Sequence, residues 1–335
     1  MRIQIVTPQQ AGAVTGNWVT AARYRSILRR LGHRVAVTSA YDGADCDLLL
    51  ALHARRSAPS VQQFAARYPE RPLVVVLTGT DLYHDLPTDA DARQALALAT
   101  RLVVLQRQAL EELPAAARDK TRVIYQSAPC LRAAVAKSTR RFRVAVVGHL
   151  RPEKDSLRTA LAARELPAAS RIEVVHVGAA LSPEWAARAE QEIAANPRYR
   201  WLGARPHWQT RQLIAGSHLL AITSLIEGSS NALCEALAQP RPTPVVASHI
   251  SGLIGTLGDA YPGYYPVEDT AALAQLLWQA ETDAAYYAAL EAGCARAAPL
   301  VLPERERAAW AALLAEIPAP ARRRPAARTL VAAGR

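Results

Sequence analysis

Two glutamates, Glu227 and Glu235, flank the small polar run Gly228-Ser229-Ser230-Asn231. The run follows the apolar stretch Leu219–Ile222 and precedes Ala-Leu-Cys, so it reads as a strand end passing through a short loop into a helix. Exposed amides and the positive end of the helix dipole at such a start hold a phosphate without any cationic side chain. Glu235, a turn or more into the helix, is placed to accept two hydrogen bonds from a vicinal diol such as that of a ribose. An ordinary capped helix with solvated carboxylates gives the same pattern, and this segment alone does not separate the two.

A second constellation is Val147-Gly148-His149-Leu150-Arg151-Pro152-Glu153-Lys154, in a chain whose lysines are confined to positions 120, 137 and 154. Gly148 allows a tight turn at a strand end. His149, Arg151 and Lys154 then offer positive charge suited to a diphosphate and to the charge that builds on it as it leaves. The alternative is a solvated loop whose lysine pairs with Glu153 or Asp155. Nearer the N-terminus, Gln9-Gln10-Ala-Gly12-Ala-Val-Thr-Gly16-Asn17-Trp18 precedes a predicted helix over Val19–Leu31 and forms another amide-lined anion pocket. It is neither Gly-x-Gly-x-x-Gly nor a loop ending in Gly-Lys-Ser/Thr, which speaks against a dinucleotide or ATP.

His53, Arg55 and Arg56 follow the third apolar run, and Thr78-Gly79-Thr80-Asp81 the fourth. Arg55 and Arg56 suit an acidic acceptor, or are surface arginines opening the next helix. Asp45-Cys-Asp47 and Asp89-Ala-Asp91 resemble a metal-binding Asp-x-Asp only superficially, one starting a strand and the other a helix, so no metal is expected. His84, His176, His207 and His218 lack ligand spacing and read as local hydrogen-bonding or packing residues.

Such loops need strands to carry them. Short β-branched runs alternate with Ala/Leu/Arg-rich segments, the pattern of β-α units feeding parallel sheets covered on both faces. The predicted strands are Ile3–Thr7, Val35–Thr38, Leu48–Leu52, Leu73–Leu77, Leu102–Leu105 and Val123–Tyr125, then Phe142–Gly148, Ile172–Val177, Tyr199–Leu202, Leu219–Ile222 and Val245–Ala247. The fold class is α/β, with two doubly wound, Rossmann-like domains facing across a cleft. Residues 1–140 form the N-terminal acceptor domain and 141–300 the donor domain, joined through a linker at Ser127–Arg141. A helix over 301–318 crosses back to the first domain, and 319–335 form a mobile Arg/Pro/Ala tail.

The composition agrees. A chain of 335 residues exceeds what one core usually supports. Forty basic against 29 acidic residues give a net charge of +11, which favours anionic partners. Aromatics are only 6% and do not interleave with arginine, so nucleic-acid binding is not the expected reading, although a polyanion-binding non-enzyme remains an alternative. The cysteines at 46, 130, 234 and 294 form no Cys-x-x-Cys pair, which fits a reducing cytoplasm. The start reads directly as a strand, without a signal peptide, and no apolar run is long enough to span a bilayer.

Together these segments resemble the GT-B glycosyltransferases of the family 4 type over nearly the whole chain. Glu227 and Glu235 match that family's Glu-x7-Glu, Lys154 matches the lysine of its Gly-Arg-x4-Lys diphosphate site, and Gly16-Asn17 with Leu31-Gly-His-Arg-Val35 match its glycine-rich loop and the Leu-x-Gly-His-x-Val that follows. The resemblance implies a UDP-sugar substrate, with Glu227 on the sugar, Glu235 on the ribose, Lys154 on the diphosphate and backbone near Gly203 on the base; no cofactor is implied. Two positions depart from the pattern. His149 stands where the family has an arginine, and Thr78–Asp81 replaces a histidine that many members carry near the reacting carbon. The combination of Thr15–Tyr24, Leu52–Ala58 and Thr78–Tyr83 is similar to the selenosugar synthases of selenoneine biosynthesis, which join selenophosphate to the anomeric carbon of a UDP-sugar, typically UDP-N-acetylglucosamine. A selenium nucleophile is largely ionised at neutral pH and tolerates the absence of a general base. Ordinary hexosyl or N-acetylhexosaminyl transfer to an alcohol or lipid is the alternative; the sugar, the anomeric outcome and the oligomeric state are not specified by these residues.

Overall fold

The computed structural model describes residues 1–8 and 16–317. The stretch from Gln9 to Thr15 of the first loop and the tail expected over 319–335 lie outside the described residues.

Six parallel strands make the first sheet: β1 (Arg2–Val6), β2 (Arg34–Thr38), β3 (Leu48–Leu52), β4 (Leu73–Val76), β5 (Arg101–Val104) and β6 (Thr121–Val123), in the order β2-β1-β3-β4-β5-β6. The helices α1 (Gly16–Arg30), α2 (Ala58–Arg67), α3 (Ala90–Leu98) and α4 (Ala115–Arg118) connect them. Every residue of β3 and β4 is buried, which explains why Leu-Leu-Leu-Ala-Leu and Leu-Val-Val-Val carry no polar alternation.

The second sheet contains β7 (Phe142–Val147), β8 (Ile172–Val177), β9 (Tyr199–Trp201), β10 (Leu219–Ile222), β11 (Val245–Ser248) and β12 (Tyr264–Tyr265), ordered β12-β11-β10-β7-β8-β9. Its helices are α5 (Arg158–Arg164), α6 (Pro183–Ala195), α7 (His207–Ala215), α8 (Asn231–Leu237), α9 (Ser251–Leu257), α10 (Thr270–Thr282) and α11 (Ala284–Ala297). Both halves are doubly wound, as the alternation predicts. Strand order reverses between β1 and β3 in one sheet and between β7 and β10 in the other. Ligands of open α/β sheets bind beyond the carboxyl ends of the strands at such points. The loops leaving β7 and β10 are those that carry Gly148–Lys154 and Glu227–Asn231.

The strand expectations omit the two-residue β12, and α9 also carries little helical signal. Glycines 252 and 255 weaken the helical signal of α9, yet both are required by close approach. A Cβ on Gly252 would run into the carbonyl of Glu227, and one on Gly255 into the Gln106 side chain of the first domain. Helix α12 (Pro303–Ala315) returns to the first sheet, where Trp310 is fully buried with its ring 4.7 Å from that of Tyr24 in α1. Leu313, Leu314 and Ile317 join Ile3, Ile5 and Val35 in the same apolar cluster.

Candidate functional site

The two switch-point loops of the second domain are tied to each other. Thr223 Oγ1 donates to the carbonyls of Lys154 (2.8 Å) and Asp155 (3.0 Å), and Leu225 N donates to the Glu153 carbonyl (2.9 Å). The result is an ion pair between Lys154 Nζ and Glu227 Oε1, which also accepts the Ser224 hydroxyl at 2.7 Å. The solvated-loop alternative is thereby answered: Lys154 pairs with neither Glu153 nor Asp155. Arg151 lies 3.8 Å from Glu153, and Asp155 is held by Arg158. Because Arg151 is on the surface and Lys154 points inward, the two cations are not equivalent.

Gly148 lies along the stem of Lys154. His149 Nδ1 accepts from Ala179 N at 3.0 Å, which fixes the ring at the mouth of the loop. Beneath it His176, fully buried, holds the loop from the next strand: its Nε2 lies 2.9 Å from the Gly148 carbonyl and its Nδ1 2.9 Å from the Tyr199 hydroxyl. These partners assign a neutral ring with the proton on Nε2. Burial pushes the His176 pKa down to about 4, opposed by the bond to Gly148. The unfolded chain binds this proton near pH 6.5 and the native state only near 4, so stability is lost as pH falls through that window, by about 3 kcal/mol from this group, and is fully retained above it. Urea midpoints measured from pH 7 to pH 4 should therefore drop more steeply for the wild type than for His176→Gln; equal slopes would remove His176 as the cause.

Glu235 is buried on α8, with Oε1 2.5 Å from Nε2 of the half-exposed His207. His207 thus has a local partner, but one that belongs to the candidate site, and its spacing of 28 residues from Glu235 left no signal in the sequence. Ser230 caps α8 through Leu233 N (3.4 Å), and the Ser229 hydroxyl lies near Cys234 Sγ. Gly203 has φ of +67°, and its carbonyl accepts from Gly178 N.

The first domain supplies the opposite wall. A Cβ on Gly79 would sit 2.7 Å from Gly228 N, and one on Gly228 would collide with the Thr78 carbonyl. The Thr78-Gly79 turn and the Glu227-Gly228 turn therefore meet backbone to backbone, which only glycine permits on both sides. Gly16 approaches the Asn231 amide across the same cleft, and Asn17 follows it in the first turn of α1. His53, with φ of +70°, contacts the Thr80 hydroxyl through Nε2 at 3.0 Å and accepts from Arg56 N through Nδ1. Burial pushes its pKa down, against the opposing charge of Asp81.

One acceptor-site expectation changes. Asp81 is wholly buried, and its oxygens accept from the backbone N–H of Ala54, Thr78 and Gly79 at 2.8–2.9 Å. It shapes the turn and does not face a ligand. Arg55, itself exposed, pairs with Asp85 at 3.2 Å and Asp89 at 3.0 Å, and Arg56 beside it is exposed as well. The carboxylates of Asp45 and Asp47 face Arg2 and Arg71, and Asp89 also caps α3.

Arg23, unremarked in the motifs, crosses the cleft floor. It is largely enclosed, donates to Asn231 Oδ1 (3.2 Å) through Nη1 and to Glu306 Oε1 (3.1 Å) through Nε, so α1, α8 and α12 meet at one guanidinium. An arginine inside the apolar stripe Thr20, Ala21, Tyr24, Ile27, Leu28 was the available signal. Tyr83 with Ser251 (3.1 Å) and Tyr125 with the Gly255 carbonyl (3.0 Å) bridge the domains further along.

Residues 141–283 match the family model described as glycosyl transferases group 1. No curated protein matches the chain. Among solved structures, HepE of Anabaena, in complex with UDP and glucose, is similar with a TM-score of 0.74 at 19% identity, covering 95% of this chain and all of that one. Sucrose-phosphate synthase of Thermosynechococcus elongatus has a TM-score of 0.76 at 16% identity, covering 94% and 98%, and a glycosyltransferase of Rickettsia africae one of 0.66 at 14%, covering 94% and 97%. The two sheets and their facing arrangement are the GT-B fold. Among the described residues, no helix is long and apolar enough to cross a membrane.

Proposed function

We propose that the chain is a UDP-sugar-dependent glycosyltransferase whose acceptor is selenophosphate, forming a C–Se bond and releasing UDP. The observation that carries the transferase reading is the Lys154–Glu227 pair beside the Gly79–Gly228 contact, where both switch points converge. In this reading the donor diphosphate takes the Lys154 ammonium and the Gly228–Ser230 amides, and Glu227, released from the lysine, turns to the sugar hydroxyls. Selenium attacks the anomeric carbon from the first-domain side. The bond from that carbon to the diphosphate oxygen breaks, and UDP leaves with the electron pair, its charge stabilised by Lys154.

The acceptor assignment rests on the resemblance of Thr15–Tyr24, Leu52–Ala58 and Thr78–Tyr83, on the exposed Arg56 as a cation for a phosphate group, and on a turn at Thr78–Asp81 whose one carboxylate is committed to amides. A nucleophile that arrives ionised needs no base there. UDP-N-acetylglucosamine is the proposed donor and the cytoplasm the proposed compartment. Incubation with that donor and selenophosphate, read by mass spectrometry, should give UDP and the sugar with selenium on its anomeric carbon, the phosphoryl group either still on selenium or passed to water as inorganic phosphate; transfer only to an added sugar alcohol would favour ordinary hexosyl transfer instead.

The ribose assignment has its own test. Glu235→Ala should weaken UDP binding about 10- to 100-fold by calorimetry, the cost of losing a charged hydrogen-bond acceptor. Unchanged UDP affinity would sink it.

A further inference from the structure

A second concavity lies at the opposite end of the donor-domain sheet, beyond the amino ends of the strands. It has a volume of about 650 Å³ and is lined by Lys137, Arg141, Arg171, His218, Arg241 and Tyr287 among others. The strand β7 separates it from Gly148 and the cleft, a span on the order of 20 Å for six extended residues. Its walls come from the segment that joins the two domains, from the residues just before β8 and β10, and from the α10–α11 corner.

The chemistry of the lining is cationic with an aromatic floor. Glu281 is already engaged by the Ser170 hydroxyl (2.6 Å) and Arg171 N (2.8 Å), and Glu291 by Arg241 (2.8 Å). Lys137 Nζ donates to the Tyr287 hydroxyl at 3.2 Å and lies over that ring. The Tyr287 hydroxyl itself donates to the His218 carbonyl, so the floor is rigid. His218 accepts from Arg143 N through Nδ1, which puts its own proton on Nε2, and its ring stacks on Phe142 with centroids 4.7 Å apart. Burial holds Lys137 below the ordinary lysine range, with Glu291 opposing and Arg241 adding to the shift. A dianion brought among these groups would reverse that shift. The volume is that of a small-molecule site, not of an extended polymer groove.

We infer that this concavity binds a phosphorylated small molecule, its phosphate on Lys137 and Arg141 and its organic part against Tyr287. The site is separate from the donor cleft and lies on the segment linking the domains, so its occupant bridges that segment to α11. The phosphate could belong to a nucleotide or be free, and two probes distinguish these.

Calorimetric titration of the full chain with AMP and with inorganic phosphate tests the site, combined with amide hydrogen exchange. Saturable binding of at least one probe is expected, with exchange slowed over 137–141 and 281–291. Tighter binding of AMP would assign the Tyr287 floor to the organic part, and equal binding would assign the site to phosphate alone. Lys137→Gln/Arg141→Gln should weaken the probe about tenfold; because Lys137 is half-buried on Tyr287 while Arg141 is exposed, Arg141→Gln alone serves if the double variant melts early. Lys154→Ala should leave the affinity within about twofold. No saturable binding, or slowing confined to 148–156 and 224–231, or binding lost in Lys154→Ala alone, would overturn the proposal.

Discussion

Lys154→Ala should lower turnover by about 100- to 1000-fold, the usual cost of removing one preorganised group that stabilises developing negative charge. The side chain is well placed for that loss to be specific. Its backbone is pinned by Thr223, its stem lies along Gly148, and its ammonium is aimed at Glu227 in the wall of the cleft. As the diphosphate leaves, its charge grows, so the interaction strengthens toward the transition state and kcat should fall more than donor affinity. Glu227 keeps its bond from Ser224, and the change in stability should stay near 1 kcal/mol. Lys154→Arg restores charge without the compact ammonium, and partial recovery is expected. Single-turnover rates with a saturating UDP-sugar would show it. A near-normal rate in the alanine variant would take Lys154 out of the diphosphate site.

The second large effect is on stability. Glu306→Ala should lower the unfolding free energy by about 3–5 kcal/mol, because it strands the enclosed Arg23, and at roughly 2–4 °C per kcal/mol the melting temperature should drop by about 10 °C. Glu306 is fully buried on α12, where Oε1 takes Arg23 and Oε2 takes both Ser127 N (2.9 Å) and the Ser127 hydroxyl (2.5 Å). The variant thus leaves an enclosed cation and two unpaired donors. Combining it with Arg23→Met removes the stranded charge and should recover part of the loss. Additive losses in the double variant would contradict the pairing.

The frame was legible because buried parallel strands are unbroken apolar runs, and Leu48–Leu52 or Leu219–Ile222 read the same in sequence and structure. The donor loops were legible because small residues and carboxylates cluster between a strand and a helix. What those loops touch was not. Lys154 and Glu227 lie 73 positions apart, and nothing local tells a lysine aimed at Glu227 from one paired with Glu153. The environment of Asp81 was hidden for a related reason. A carboxylate used up on three amides has the same one-letter identity as one facing a ligand. Arg23 inside a buried stripe signalled that a partner was needed, but not which one, because Glu306 on α12 lies 283 residues away.

The return of α12 to the first sheet also sets the order in which the chain can mature. Trp310 fills the face of α1 that Tyr24 presents, so the N-terminal core stays open on that side until the whole donor domain has been translated. At about 5–20 residues per second the delay between β6 and Trp310 is on the order of ten to forty seconds. Throughout it the side of Tyr24 that Trp310 covers has no partner from α12, and a chain ended inside the donor domain would carry an N-terminal half with an unsealed flank.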